Sequence, residues 1–230
     1  MLDLTQHKAQ LQAYFDGIGF ERWSAIYGDA QLSRVRRSIR AGHTLMLARA
    51  AAWIDEANLG AGAHVLDAGC GTGLFSLALA RRGLRVTAVD LAPQMVVAAQ
   101  QEAERAGLAE RISFHSGDLE QIDGRFDAVV CFDVLVHYPQ PGFGQLCTQL
   151  ARRSRGPLLL TYAPHSSLLA ALHWLGGRFP RGQRRTEIQM IPDRQVQQAL
   201  AAGGMTMRRR ARISRGFYHV SLLEARSSGA

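Results

Sequence analysis

The chain has 230 residues, of which 47% are hydrophobic and 20% are charged, and its formal net charge is +8. This composition fits one globular domain with a substantial core, and no apolar run approaches the length that crosses a bilayer. The basic charge attracts anionic partners without choosing among nucleic acid, a membrane surface and an acidic small molecule. The N-terminus lacks the basic and then apolar layout of a signal peptide, so we expect a cytoplasmic protein.

Three cysteines, Cys70, Cys131 and Cys147, are far apart in the sequence and form no CxxC pair. An odd and sparse set of this kind is typical of a reducing compartment. It argues against a disulfide framework and against a zinc site. We therefore expect no protein-bound metal.

Residues 1–60 are predicted to form an N-terminal helical arm. Ser33 is a candidate N-cap for a helix from Arg34 to about Ile54, in which apolar residues recur at a partly helical spacing. Upstream, the stretch 11–23 mixes aromatic residues with two glycines. That mixture is more typical of a jointed arm than of a continuous helix.

From residue 63 onward, short apolar strands alternate with helices. This alternation predicts an α/β fold with a Rossmann-like, mostly parallel sheet of seven strands covered by helices on both faces. Only a few residues around Gly216 separate the last two strands, which predicts a hairpin and hence an antiparallel last strand. The predicted strands are 63–68, 85–90, 112–116, 126–132, 157–162, 207–213 and 218–224, and the predicted helices are 73–82, 93–106, 141–151 and 193–202.

The segment 163–192 interrupts this alternation between a binding core at 61–162 and a completion of the sheet at 193–230. It contains an apolar piece, 168–175, followed by four arginines. An insertion after the carboxyl end of a strand lies over the ligand crevice of such sheets, so we interpret it as a substrate lid. The apolar piece suits a large planar substrate or a membrane surface, and plain core packing is the alternative.

A glycine-rich loop, residues 65–73, follows the first strand and opens a helix. Gly69, Gly71 and Gly73 allow a tight turn and a close approach of the backbone to a ligand. Dinucleotide-binding loops have the same design, so the glycines alone indicate only a nucleotide-like ligand.

Three aspartates sharpen that prediction to S-adenosyl-methionine. Asp67, just before the loop, suits the amino-acid portion of this methyl donor and would repel a pyrophosphate. Asp90 ends the second strand, where a carboxylate accepts from ribose hydroxyls. Asp118 follows the third strand and suits the adenine amino group. Each aspartate taken alone would as often belong to a turn or cap a helix. Three aspartates in sequential register with one glycine loop favour a binding site for the methyl donor. Further candidate donor contacts are Gly69, Cys70, Gly71, Gly73, Leu91, Leu119, Cys131 and Asp133.

The fourth strand leads into the stretch 133–139, which contains His137 and Tyr138. In this topology the end of that strand faces the transferable methyl group, so both residues are acceptor-side candidates, although a lone His is more often structural. The Asn/Asp-Pro-Pro-aromatic turn of adenine-amine methyltransferases is absent, and no aromatic and basic RNA-binding module is visible. We therefore expect no nucleic-acid substrate.

The chain resembles the magnesium-protoporphyrin IX O-methyltransferases of chlorophyll and bacteriochlorophyll biosynthesis. The matching stretches span nearly the whole chain: 14–23, 26–28, 39–43, 66–73, 131–139, 163–164 and 217–225. The glycine loop is generic to class I methyltransferases. The Phe-Glu-Arg-Trp of the arm, the turn at 133–139 and the C-terminal stretch are the discriminating parts.

The resemblance implies methyl transfer from S-adenosyl-methionine to one propionate of magnesium-protoporphyrin IX, whose magnesium belongs to the substrate. His137 and Tyr27 would orient the propionate, with axial ligation of the magnesium by His137 as a lower-ranked alternative. Tyr138 would lie on the acceptor side, and Arg40 and His43, with neighbouring arginines, would meet the second propionate. A solvated helix face explains those arginines equally well.

The family resemblance also implies contact with the photosynthetic membrane and with the large subunit of magnesium chelatase, which delivers the porphyrin. Two alternatives stay open at this stage. One is a class I methyltransferase that acts on a quinone or another small molecule. The other is a non-catalytic module that binds the donor.

Overall fold

An eight-stranded sheet organises the fold. The computed structural model describes residues 4–21, 23, 32–164 and 188–227. The strands are β1 His64–Ala68, β2 Arg85–Asp90, β3 Ile112–Ser116, β4 Ala128–Cys131, β5 Leu158–Pro164, β6 Met190–Ile191, β7 Met205–Arg215 and β8 Tyr218–Ser227. Their order is β3-β2-β1-β4-β5-β8-β7, with β6 paired to β5. β8 is antiparallel to both of its neighbours, whereas β1 to β5 are mutually parallel.

Six α-helices accompany the sheet in the described part of the chain. They are α1 Leu4–Tyr14, α2 Arg34–Glu56, α3 Leu74–Ala80, α4 Pro93–Arg105, α5 Gly142–Arg153 and α6 Asp193–Ala202. The Ser33 hydroxyl accepts a hydrogen bond from the Arg36 amide at 3.3 Å and so caps α2, as predicted. None of the helices in the described ranges is long and apolar enough to cross a membrane.

Two apolar layers cover the two faces of the sheet. Successive strand residues point to opposite faces, so Leu66 belongs to one layer and Val65 to the other. The first layer packs against α5 and α6, where it includes Phe143 and Leu200. The second packs against α2 and α3 and includes Met46.

The predicted α/β fold and its antiparallel last strand are confirmed, and the sheet has one strand more than predicted. The additional strand is β6, at the end of the predicted insertion 163–192; residues 165–187 of that insertion lie outside the described residues. The predicted strand 126–132 is shorter at both ends in the structure, and beyond its carboxyl end Asp133 adopts a left-handed conformation, with φ +56°, which turns the chain away from β4.

The predicted joint in the N-terminal arm lies at Gly17. α1 runs into a π-helical turn, Phe15–Gly19, in which Gly17 has non-helical angles of φ −115° and ψ −112°. Leu11 of α1 is buried in the apolar layer that also holds α5 and α6. The arm therefore packs on the body of the sheet.

Candidate functional site

The carboxyl ends of β1, β2 and β4 open into one cavity beneath the N-terminal arm. It is a partly open cleft between the glycine loop, the turn after β4 and the arm. The predicted site residues on its lining are Asp67, Gly69, Cys70, Gly71, Asp90, Leu91, Leu119, Asp133, His137, Tyr138 and His43. Residues that the sequence placed separately as donor and acceptor candidates thus share one space.

The glycine loop turns tightly below this cavity. Gly69, Gly71 and Gly73 have φ values of +83°, +52° and +80°, which favour glycine. A Cβ at Gly69 would lie 2.0 Å from a methyl carbon of Val134, and one at Gly73 would lie 2.9 Å from the Cβ of Ala99. A Cβ at Gly71 would have no neighbour within 4 Å, so the backbone is open to a ligand there.

The Asp90 carboxylate fixes the loop to the end of β2. One oxygen accepts from the Gly71 amide at 2.9 Å, and the other accepts from the Ala92 amide at 2.9 Å. Burial raises the pKa of Asp90, and the two amide hydrogen bonds oppose that rise. Its position on the cavity wall leaves it facing any ligand that rests on the loop.

Asp67 is 2% exposed and lies at the base of the same cavity. The Ser76 hydroxyl of α3 donates to its carboxylate at 2.5 Å. Burial raises the pKa of Asp67 to about 6, and the charge of Asp90 adds to the rise. The hydrogen bond from Ser76 lowers the pKa and so opposes both effects. A cationic group entering the cavity would compensate the ionised carboxylate.

This raised pKa predicts that donor affinity depends on pH. If ionised Asp67 receives the donor's amino group, the dissociation constant of the donor rises up to about tenfold per pH unit below the Asp67 pKa of about 6. Titration calorimetry between about pH 5 and about pH 7.5 measures it. Asp67→Asn should flatten this profile, and a flat profile for the wild type would contradict the assignment.

The raised pKa of Asp67 also affects the free energy of unfolding, with the opposite dependence on pH. The folded chain holds the Asp67 proton more tightly than the unfolded chain does, so stability is lost as the pH rises from the ordinary aspartate value to about 6. Asp67→Asn should therefore raise the free energy of unfolding at about pH 8, by up to about 3 kcal/mol. Denaturant unfolding measures this effect independently of any ligand.

Asp118 lies beside the cavity and anchors the N-terminal arm. One oxygen accepts from the Glu120 amide at 3.0 Å, and the other forms an ion pair at 2.7 Å with Lys8 of α1. Lys8 also lies 2.9 Å from the Glu120 carboxylate. Leu119 lines the cavity and Asp118 does not, so a contact between Asp118 and adenine stays a prediction. Lys8, the only lysine in the chain, was not among the predicted site residues.

The turn after β4 contributes the two predicted acceptor-side residues, His137 and Tyr138, to the cavity wall. His137 ends a 3₁₀ turn, Leu135–His137, and its ring packs edge-on against Phe15 of the arm at a centroid distance of 5.3 Å. His7 donates to the His137 carbonyl at 2.7 Å. Tyr138 is 4% exposed, and burial raises the pKa of its hydroxyl well above the ordinary value. The arm and this turn therefore enclose the cavity together.

Asp133 lies opposite, next to His43 of α2. The Tyr218 hydroxyl donates to both carboxylate oxygens of Asp133, at 2.8 and 3.1 Å, and the His43 Nε2 lies 3.7 Å from one of them. Burial lowers the pKa of His43, although the charge of Asp133 favours protonation. The His43 ring lies 5.6 Å from that of Trp23, a further residue of the lining.

Besides Asp118, four further predicted site residues are not on the cavity lining or not described. Gly73 supports the packing of the loop against α4, and Cys131 is fully buried in the core. Arg40 lines a separate open groove along α2, and Tyr27 lies outside the described residues. Ligand contacts of these four residues stay predictions.

The apolar wall of the cavity was not predicted from the sequence. Leu11 and Phe15 come from the arm, Leu47 from α2, Phe75 from α3 and Phe132 from the end of β4. Each occurs within an apolar helical or strand pattern that indicates core, so nothing in the local sequence distinguishes it. The wall makes the site apolar around a few fixed carboxylates and histidines.

The fold and this site define the class of protein. A parallel sheet ending in an antiparallel strand, with a glycine loop and carboxylates at the ends of β1 and β2, is the architecture of class I S-adenosyl-methionine-dependent methyltransferases. A profile described as a methyltransferase domain matches residues 65–155. The profile of the magnesium-protoporphyrin IX methyltransferase C-terminus matches residues 131–227. The chain belongs to the magnesium-protoporphyrin O-methyltransferase family.

Whole-chain similarities carry this assignment. Magnesium-protoporphyrin O-methyltransferase of Synechocystis sp. is 35% identical over 220 residues, which cover 95% of each chain. The crystal structure of the Synechocystis PCC 6803 magnesium protoporphyrin IX methyltransferase with bound S-adenosyl-homocysteine matches with a TM-score of 0.87 and 34% identity, covering 96% of this chain and 100% of that one. A ubiquinone biosynthesis O-methyltransferase of Methylocella silvestris is 33% identical over 153 residues, which cover 63% of this chain and 59% of that protein.

Proposed function

We propose that the chain transfers the methyl group of S-adenosyl-methionine to one propionate of magnesium-protoporphyrin IX, giving the monomethyl ester and S-adenosyl-homocysteine. The observation that carries this proposal is the single cavity that joins the glycine loop to His137 and His43 in a chain of this family. An apolar aromatic wall suits a large planar acceptor. The quinone methyltransferase similarity covers 63% of the chain, whereas the similarity to magnesium-protoporphyrin O-methyltransferase covers 95%.

The residues of the donor half fit S-adenosyl-methionine. The open backbone at Gly71 would hold the body of the donor, and Asp67 would receive its amino group. The Asp90 carboxylate accepts a hydrogen bond from the Gly71 amide, and its remaining lone pairs would accept hydrogen bonds from the ribose hydroxyls. Leu91 and Leu119 would contact the adenine from the cavity wall.

The chemistry requires positioning more than proton transfer. A propionate has a pKa of about 4.5 and is ionised at neutral pH, so no general base is needed. One of its oxygens bonds to the methyl carbon as the carbon–sulfur bond breaks, and the sulfonium and carboxylate charges both disappear. A dry, apolar cavity favours such charge-neutralising attack. His137 and Tyr27 would hold the oxygen in line with the sulfur without the tight ion pair that an arginine would form.

The test is to incubate the purified chain with labelled S-adenosyl-methionine and magnesium-protoporphyrin IX and to separate the products chromatographically. The expected product is the labelled monomethyl ester together with S-adenosyl-homocysteine. Transfer to a quinone without porphyrin ester would establish the quinone alternative. Donor binding without transfer to either acceptor would establish a non-catalytic module.

We also propose a peripheral contact with an anionic membrane and delivery of the porphyrin by the magnesium chelatase large subunit. Support for the membrane contact comes from one face of α2 and the neighbouring hairpin turn, where Val35 is 42% and Phe217 is 69% exposed. The Phe217 amide donates to Ser38 at 3.3 Å, which keeps the turn beside the exposed Arg34 and Arg37. Neither arginine has an ion pair within the described ranges. An apolar tip amid basic residues suits an anionic lipid surface.

Vesicle sedimentation tests the membrane contact. The chain should bind phosphatidylglycerol vesicles and not phosphatidylcholine vesicles, and Phe217→Ser with Arg37→Ser should weaken that binding about tenfold or more. Arg105→Ser is the control, because Arg105 is exposed elsewhere and paired with Glu102. Equal binding to both kinds of vesicle would contradict the proposal. Co-purification with the chelatase large subunit tests the delivery partner separately.

A further inference from the structure

Asp133 adopts a backbone conformation that non-glycine residues rarely occupy. Its φ of +56° lies in the left-handed region, and among the described residues only Asn58 shares this feature outside glycine. The Asp133 amide donates to the Thr161 hydroxyl at 2.6 Å, and that hydroxyl lies 3.1 Å from the Asp133 carboxylate. Such a conformation persists only where its surroundings hold it, and it often marks a functional site.

Tyr218, at the start of β8, supplies the strongest hold on this carboxylate. Its hydroxyl reaches both Asp133 oxygens, at 2.8 and 3.1 Å. The ring is 7% exposed and lies directly on α2, because a Cβ at Gly42 would be 2.7 Å from two atoms of Tyr218. The neighbouring His43 contacts the same ring edge-on at 6.0 Å. Gly42 thus provides the space that allows Tyr218 to reach Asp133.

The held turn connects the two halves of the cavity. Val134, the next residue, packs against Gly69 of the donor loop, and Leu135–His137 carries the acceptor-side histidine. A shift at Asp133 would therefore move His137 relative to the donor loop. Methyl transfer requires the attacking oxygen and the methyl carbon in line, so a displacement of about 1 Å is costly.

We infer that Tyr218 is a positioning residue for methyl transfer, which acts through Asp133 to fix His137 against the donor loop. This inference rests on the proposed function, since it concerns the same reaction. It assigns a role to Tyr218 and to Gly42, which the donor and acceptor contacts leave unexplained. Tyr218 lines no part of the cavity in the described chain, so its effect passes through the turn.

A double-mutant cycle tests this inference. Tyr218→Phe should lower kcat for porphyrin methylation about tenfold, and the dissociation constant of S-adenosyl-homocysteine should change less than about twofold. Asp133→Gly keeps the left-handed backbone but removes the carboxylate, so Tyr218→Phe added to it should have little further effect on kcat. Additive losses in the double variant would overturn the inference.

The matched control is Tyr162→Phe, which removes a hydroxyl that donates to Asp193 at 2.7 Å away from the cavity. It should lower the melting temperature and leave kcat unchanged. If Tyr218→Phe does not fold, the Asp133→Gly variant by itself should still show a loss of kcat that exceeds any loss of its donor affinity. Failure of the wild type to methylate the porphyrin would contradict the proposed function, whereas equal kcat in wild type and Tyr218→Phe would contradict the positioning role alone.

Discussion

Asp90→Ala is expected to weaken donor binding about 100-fold or more. Its two oxygens accept from the Gly71 and Ala92 amides at 2.9 Å, so the alanine variant leaves one amide of the glycine loop and one amide at the start of α4 without their acceptors. The variant also removes the carboxylate that we propose for the ribose hydroxyls. Titration calorimetry with S-adenosyl-homocysteine measures the dissociation constant without requiring turnover.

Asp127→Ala is the matched control for Asp90→Ala. Asp127 also bonds a strand amide, that of His64 at 2.8 Å, but it does so at the amino end of β1. We expect it to lower stability and to leave donor affinity within about twofold of wild type. If the two variants lost the same affinity, the effect would reflect general loosening of the sheet, and Asp90 would have no special place in the donor site.

The local parts of this site were predictable because they follow from short-range spacing. The glycine loop and Asp90 each adjoin the end of a strand whose apolar pattern is clear, and β2 and β3 have the predicted bounds. Parallel strands bring their carboxyl ends to the same edge, so the residues at those ends meet without further information. The meeting of the glycine loop, Asp67 and Asp90 in one cavity was therefore predictable from the sequence.

The contacts between distant segments were not predictable from one sequence. Tyr218 and Asp133 are 85 residues apart, and Lys8 and Asp118 are 110 residues apart. Nothing in the local pattern around Tyr218 distinguishes it from any buried strand residue. Its role follows from the side-by-side position of β8 and α2, for which the close contact at Gly42 is responsible.

The apolar wall explains how one cavity would bind both the cationic donor and the anionic acceptor that we propose. A buried carboxylate such as Asp67 raises the cost of an empty site, and a cationic donor removes that cost on binding. The acceptor carboxylate then enters a space in which the donor cation is the nearest charge of opposite sign. The same apolar surroundings that make ionised Asp67 unfavourable therefore draw donor and acceptor together.

His137→Ala is expected to lower kcat for porphyrin methylation about 100-fold and to change donor affinity less than about twofold. The ring lies on the cavity wall against Phe15 and is not part of the glycine loop, and we propose that it faces the acceptor. The alanine removes the group that we propose to orient the propionate oxygen. Steady-state turnover and titration calorimetry together separate these two effects.

Two comparisons sharpen the interpretation of His137. His115→Ala, on the exposed side of β3, is the matched control and should leave kcat unchanged. His137→Gln retains a hydrogen-bond donor, so it should recover about tenfold of the lost rate if the histidine orients the propionate. If His137 instead ligates the magnesium, the loss should vanish with metal-free protoporphyrin as acceptor. A loss of donor affinity as large as the loss of kcat would mean that the acceptor side of the cavity lies elsewhere.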